Sequence, residues 1–299
     1  MQNEDMKIRT PQGIFLILHS KFSISSASFF VYLLALPIYC LLRLAGETEW
    51  QRMLTFTIPS LLCATGFAHA IERYGLRRAL LLFVSGAIIA FIFEALGSGT
   101  GFLFGHYSYT DKLGYKLLGL VPWLIPIAWC SMLYPAWHIA DVVARDANRS
   151  TRRALRIVIA ALAITAWDLS LDPRMVQDGY WIWHDVGSYF GIPLSNYAGW
   201  FVTALVIYGV WAFIDHLPFA IDHLQPPQSM VNRQSSMVNL PTLAYLVVWL
   251  GESVANAVFW AGPLVGLFVF VGMGAFALPA VIYTFRRATD QTALALQND

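Results

Sequence analysis

Charge is scarce in this chain. Lys, Arg, Asp and Glu supply 12% of its 299 residues, against roughly 25% in ordinary soluble domains. A soluble fold of this length needs a polar coat, and the chain cannot supply one over most of its length. The formal net charge is only +1, with the basic residues scattered, so the electrostatic footprint of a nucleic-acid binder is missing. Cysteine is rare as well. Cys40, Cys63 and Cys130 all lie inside apolar runs, too far apart for a metal knuckle, and read as small hydrophobic side chains with no disulfide. The seven histidines have no metal-ligand spacing. A nucleophile elbow, an HExxH pair and a dinucleotide fingerprint are all lacking. The first long apolar run is long enough to span a bilayer and has no small-residue cleavage site, so no secretory leader is expected.

What the chain has in abundance is apolar residues, 58% of the total, with a mean hydropathy of +0.58. A spanning helix needs about 20 such residues in a row. Eight stretches qualify: 24–45, 54–71, 79–96, 117–139, 154–171, 198–217, 240–260 and 262–284. The last two are separated by little more than Gly262-Pro263 and form either a tight hairpin or one broken segment, so the count is seven or eight. The predicted fold is an all-α polytopic membrane protein. It divides into a polar N-terminal segment (1–23), one transmembrane helical domain (24–285) with a polar loop near 222–239, and a polar tail (286–299). With the N-terminus inside, 14 of the 19 Lys and Arg fall on the cytoplasmic side, as the positive-inside rule requires. Both termini are therefore expected in the cytoplasm.

The segments on the opposite side, 97–116 and 172–197, are rich in Gly, Tyr, Trp and Asn, and loops of that composition are where chemistry tends to sit. Asp168 and Asp172 lie at the edge of one of them. Four residues apart on a helix, they share a face, separated by about 6 Å along the axis. Pro173 is expected to make Asp172 the last helical residue. The pair either marks a helix end, or Asp172 pairs with Arg174, or the two are functional, as ionisable groups inside a membrane are by default. In the second case two poorly solvated carboxyls do not ionise together easily, and one is left as a usable acid.

Glu94 is the second candidate, at a similar depth and followed by Gly97, Gly99, Gly101 and Gly105 and then Tyr107 and Tyr109. The glycines are read either as helix-packing positions or as room around a buried acid. Pro122, Pro126 and Pro135 are expected to kink the fourth span and open a cavity. Trp129 lies deep enough to line it, whereas Trp123 and Trp137 read as residues of the interfacial aromatic belt. Trp167, Trp181, Trp183, Asn196, Tyr197 and Trp200 complete the set of expected substrate contacts. Aromatic faces stabilise a desolvated cation by about 0.5–2 kcal/mol each. His184 beside Asp185, and Glu252 with Asn256, are weaker signals, the former read as a surface pair and the latter as interhelical glue or catalysis.

Four segments, EALGSGTGFLFGHYSYT (94–110), IPIAWCSMLYPAW (125–137), WDLSLDPRMVQDGYWIW (167–183) and YFGIPLSNYAGW (189–200), resemble the CruF-type carotenoid hydratase family. The likeness covers most of residues 60–285. It implies addition of water across the terminal 1,2 (1′,2′) double bond of an acyclic ψ-end carotenoid such as lycopene, γ-carotene or bisanhydrobacterioruberin. The substrate would enter from the bilayer of a prokaryotic cytoplasmic or photosynthetic membrane, and a glycosyltransferase or desaturase would act downstream. It implies no metal and no cofactor. Asp168, Asp172 and Glu94 would divide the roles of acid and base. Three other readings stay open. DLSLD fits the D-x-x-x-D pattern of a Mg²⁺-dependent prenyltransferase, a carotenoid cyclase protonates the same alkene, and buried acids also serve proton-coupled transporters.

Overall fold

The computed structural model describes residues 23–46, 48–214 and 240–297. The expected polar N-terminal segment (except residue 23) and the loop near 222–239 lie outside the described residues. Eight long helices account for most of the rest: α1 (Ile24–Ala45), α2 (Thr48–Tyr74), α3 (Leu76–Thr100), α4 (Leu124–Val143), α5 (Arg149–Gln177), α6 (Leu194–Ile214), α7 (Leu240–Phe259) and α8 (Pro263–Gln297). The architecture is an all-α bundle. Seven of the eight, all but α4, are long and apolar enough to cross a membrane.

The exception has a physical cause. The helix α4 packs against α2, α3, α5, α7 and α8, and every residue from Trp129 to Ala140 is buried. A helix shielded from lipid on all sides need not be apolar enough for lipid. It carries His138 and Ser131, both buried, within its interior. Of the three prolines expected to kink it, Pro122 lies outside the helix and Pro126 falls in its first turn, where the backbone N–H has no intrahelical partner anyway. Only Pro135 is interior. Trp137 is likewise no belt residue. It is 3% exposed, stacks on Tyr208 at 5.4 Å, and carries the Arg156 guanidinium 3.7 Å above its ring.

Helix α5 corrects a second expectation. It does not stop at Asp172 but runs through Pro173 to Gln177. Proline deprives the carbonyl four residues back of its donor. Here that carbonyl is Leu169 O, and the Tyr189 hydroxyl donates to it at 3.0 Å. A side chain from the following loop replaces the missing backbone bond, so the helix continues.

The segments after α3 and α5 meet at one end of the bundle. They contribute β1 (Tyr107–Tyr109), β2 (Lys116–Leu117), β3 (Val121–Pro122) and β4 (Trp181–Trp183). Strands β1 and β4 pair antiparallel, Tyr107 opposite Trp183 and Tyr109 opposite Trp181. The period of two sends Ser108 and Ile182 outward and points the four aromatic rings down into the helices. This small sheet caps the bundle. Beneath it, Phe104 is clasped between α3 and α6. A Cβ at Gly97 or at Gly199 would come within 2.6 Å of its ring. Of the glycines after Glu94, Gly97 thus seats the Phe104 side chain. At the same end, α7 turns into α8 at Gly262 (φ +101°), giving the expected tight hairpin.

Candidate active site

Glu94 sits on α3 three residues before Gly97 and is 4% exposed. Its Oε2 accepts from the hydroxyls of Tyr107 and Tyr109, each at 2.6 Å. Its Oε1 accepts from Trp129 Nε1 at 3.0 Å. Both phenols belong to the cap; burial first, and then the Glu94 charge, push them well above the ordinary phenol range. Trp129 in turn lies flat on Trp200, centroids 3.9 Å apart and planes at 15°.

Asp168 and Asp172 project from one face of α5 and are 1% and 2% exposed. The Asn196 amide on α6 bridges them, donating to Asp168 Oδ2 at 2.7 Å and to Asp172 Oδ2 at 2.6 Å. Asp172 Oδ1 takes two more donors from β4, Trp181 Nε1 at 2.5 Å and Trp183 Nε1 at 3.2 Å. Asp168 Oδ1 is different. It is buried and has no hydrogen-bond partner among the described residues. Arg174 does not pair with Asp172; it faces the other way and pairs with Glu252.

All three carboxylates and seven of the nine expected substrate contacts line one chamber of about 30 Å³. A water needs on the order of 10–15 Å³ of such space, so the chamber has room for one or two waters but is too small to hold a carotenoid chain. Two expected contacts lie apart. Trp167 meets Trp200 edge-on at 6.0 Å and faces a second cavity. Tyr197 stands edge-on to Tyr189 at 5.4 Å and outside both spaces. His184 is a surface residue bonded to Ser108. No group of three or more His, Cys, Asp or Glu among the described residues is arranged to hold a metal ion. Three of the four oxygens of the D-x-x-x-D pair are instead engaged by amide and indole donors.

The second cavity went unread in the sequence. It measures about 420 Å³, lies between α1, α2, α4, α5 and α7, and shares Ile125, Ala128, Leu171 and Trp181 with the carboxylate chamber. Its lining is apolar apart from the Arg174–Glu252 pair and the hydroxyls of Tyr32, Tyr39 and Thr55. Tyr39 and Thr55 bond each other at 2.9 Å, and Tyr180 donates to Thr55 at 3.2 Å. The hints to it in the sequence are Arg174, Glu252 and the prolines of the fourth apolar run.

Fold and site together define a multi-pass membrane protein with a water-sized, three-carboxylate chamber under an aromatic cap, beside a larger apolar cavity. The chain belongs to the carotenoid biosynthesis protein family, which matches residues 52–274, and the resemblance to CruF-type hydratases is borne out at that level. A curated relative, the bisanhydrobacterioruberin hydratase of Haloarcula japonica, is 32% identical over 130 residues. That match covers 44% of this chain and 43% of the relative, so the chain spans less than half the length of the curated protein it matches. No solved structure matches it significantly.

Proposed function

We propose that the protein is a hydro-lyase that adds water to the terminal double bond of an acyclic carotenoid. An unactivated trisubstituted alkene is a weak base, so its hydration needs a positioned acid, a confined water and a shield for the cation between them. The observation that carries the reading is Asp168 Oδ1, a buried carboxyl oxygen without a partner on the wall of a water-sized chamber. The name of the Haloarcula japonica relative supports the same reaction class.

In the reaction, Asp168 gives its proton to the CH carbon of the alkene, and the π pair forms the new C–H bond. The neighbouring carbon becomes a tertiary cation, flanked by the Trp200 and Trp181 rings. Water in the chamber adds through oxygen, and its surplus proton passes to Asp172 or Glu94 and from there back to Asp168. No net proton is consumed. Glu94 and Asp172 suit the role of acceptor because both line the same chamber and each carboxyl is held in place by three donors. The distribution of basic residues supports both termini in the cytoplasm, and with them a capped chamber on the outer face of the membrane.

Expression in a lycopene- or γ-carotene-producing host tests the function by pigment mass. A pigment heavier by one water is expected. An isomer of unchanged mass would make the protein a cyclase. Unaltered pigments in both hosts, with the protein present in the membrane, would overturn the proposal.

A further inference from the structure

The carboxylate chamber is too small for the molecule on which it would act, so the rest of that molecule needs a place. We propose that the 420 Å³ cavity is the binding site for the terminal isoprenoid segment of a neutral hydrocarbon chain, which delivers the reacting alkene through the wall shared with the chamber. The proposal rests on the hydratase reading for the identity of the chain, and on the following geometry for the site itself.

The two spaces touch along four residues, and Ala128 is the smallest of them. The cavity runs along α4 from Leu124 to Met132, about 12 Å of helix. That is deep enough for the last few isoprene carbons but not for a whole carotenoid, so the chain must leave the cavity into lipid. A rim fits that exit. Leu250 and Val254 of α7 line the cavity and are 49% and 58% exposed on the lipid-facing surface. At Gly251 between them, an added Cβ would meet nothing within 4 Å.

Charge decides between occupants. The charged side chains among the described lining residues are Arg174 and Glu252. Arg174 Nη1 lies 3.1 Å from both Glu252 oxygens, so the pair is internally balanced. A phospholipid or a prenyl diphosphate would bring an anionic group that demands spare cations, and a desolvated phosphate without them is costly. A neutral polyene makes no such demand. Its apolar surface matches a cavity walled by leucine, isoleucine, valine and tryptophan side chains, in the size range of pockets for small ligands.

The test is binding, measured apart from turnover. Purified protein in nanodiscs is titrated with lycopene, following quenching of tryptophan fluorescence, for the wild type and for Gly251→Phe and Ala255→Phe. Filling the cavity is expected to weaken lycopene binding by about tenfold or more, the equivalent of expelling a few methylenes from apolar contact. The same variants should raise KM for lycopene by a similar factor, while Asp168→Asn binds lycopene as the wild type does. Unchanged affinity in both filled variants would overturn the site. So would native mass spectrometry showing a phospholipid that the phenylalanine variants expel without loss of lycopene binding. Tight lycopene binding with no hydrated product from either lycopene or γ-carotene would leave the cavity standing and sink the hydratase reading instead.

Discussion

Asp168 and Asp172 stand one helical turn apart on α5 and share a single amide, with Asn196 Nδ2 2.7 Å from one carboxylate and 2.6 Å from the other. Two buried acids repel when both are ionised, and a common donor offsets that repulsion while fixing their separation. Asn196→Leu keeps the approximate volume and removes the donor. It should cost about 1–3 kcal/mol of stability per acceptor left unsatisfied and lower turnover by about 100-fold, equivalent to roughly 2.7 kcal/mol of barrier. Thermal unfolding in detergent and pigment analysis read the two effects. A variant with wild-type stability and turnover would remove the bridge from the mechanism.

The unpartnered oxygen of Asp168 gives it a different expected signature. Asp168→Asn retains shape and the capacity to bond Asn196 but has no acidic proton. Turnover should fall by about 10²–10⁴, the usual contribution of a general acid, with KM and melting temperature little changed because the lost interaction belongs to the transition state. In D2O the wild type should place one deuterium on the carbon next to the new tertiary alcohol. Product without that deuterium would mean the proton does not come from an exchangeable group.

Around Glu94 the expected behaviour is graded. Tyr107→Phe, Tyr109→Phe and Trp129→Phe each delete one donor to the same carboxylate. Hydrogen bonds to a charged group are worth about 1.5–3 kcal/mol, so each variant should lose about 10–100-fold in kcat. The phenols also give a pH signature. Burial raises both in the folded protein, whereas an unfolded tyrosine ionises near 10. Stability is therefore intact below that pH and should decline as pH rises from about 10 towards the raised folded values. The double phenylalanine variant should flatten this decline in unfolding midpoint, and an unaltered slope would count against it.

Much of the site could be read along the chain because its groups come from few, compact segments. Glu94, Tyr107 and Tyr109 lie within one stretch, as do Asp168, Asp172, Trp181 and Trp183. Helical spacing brought the aspartates together on paper, and hydropathy outlined the spans. The geometry that joins the two stretches was not legible. Strand β1 finds β4 more than 70 residues later, and a three-residue strand leaves no usable periodicity. Burial on all sides hid α4 among the spanning segments, since its polarity is set by its neighbours rather than by lipid. Pro173 looked like a helix stop because the hydroxyl that rescues Leu169 O comes from Tyr189, sixteen residues further on. The large cavity was invisible for the same reason: Tyr39, Thr55, Arg174 and Glu252 are gathered from four different helices.

Arg174 and Glu252 join α5 to α7 with 12% and 18% of their side chains exposed, and their neutrality as a pair is what suits the cavity to a hydrocarbon. Breaking such a pair from one side leaves an uncompensated charge and typically costs about 3–5 kcal/mol, whereas replacing both partners by apolar residues is often neutral or stabilising. Arg174→Met and Glu252→Met should each lower the unfolding midpoint sharply. The double variant should recover most of it, and should restore lycopene affinity lost in either single variant, because the cavity is again without net charge. Were the double variant as unstable as the singles, the guanidinium and carboxylate would be needed individually, for contacts beyond their mutual attraction. Recovery of stability without recovery of lycopene binding would instead show that the pair helps to shape the chain's path rather than merely cancelling its own charge.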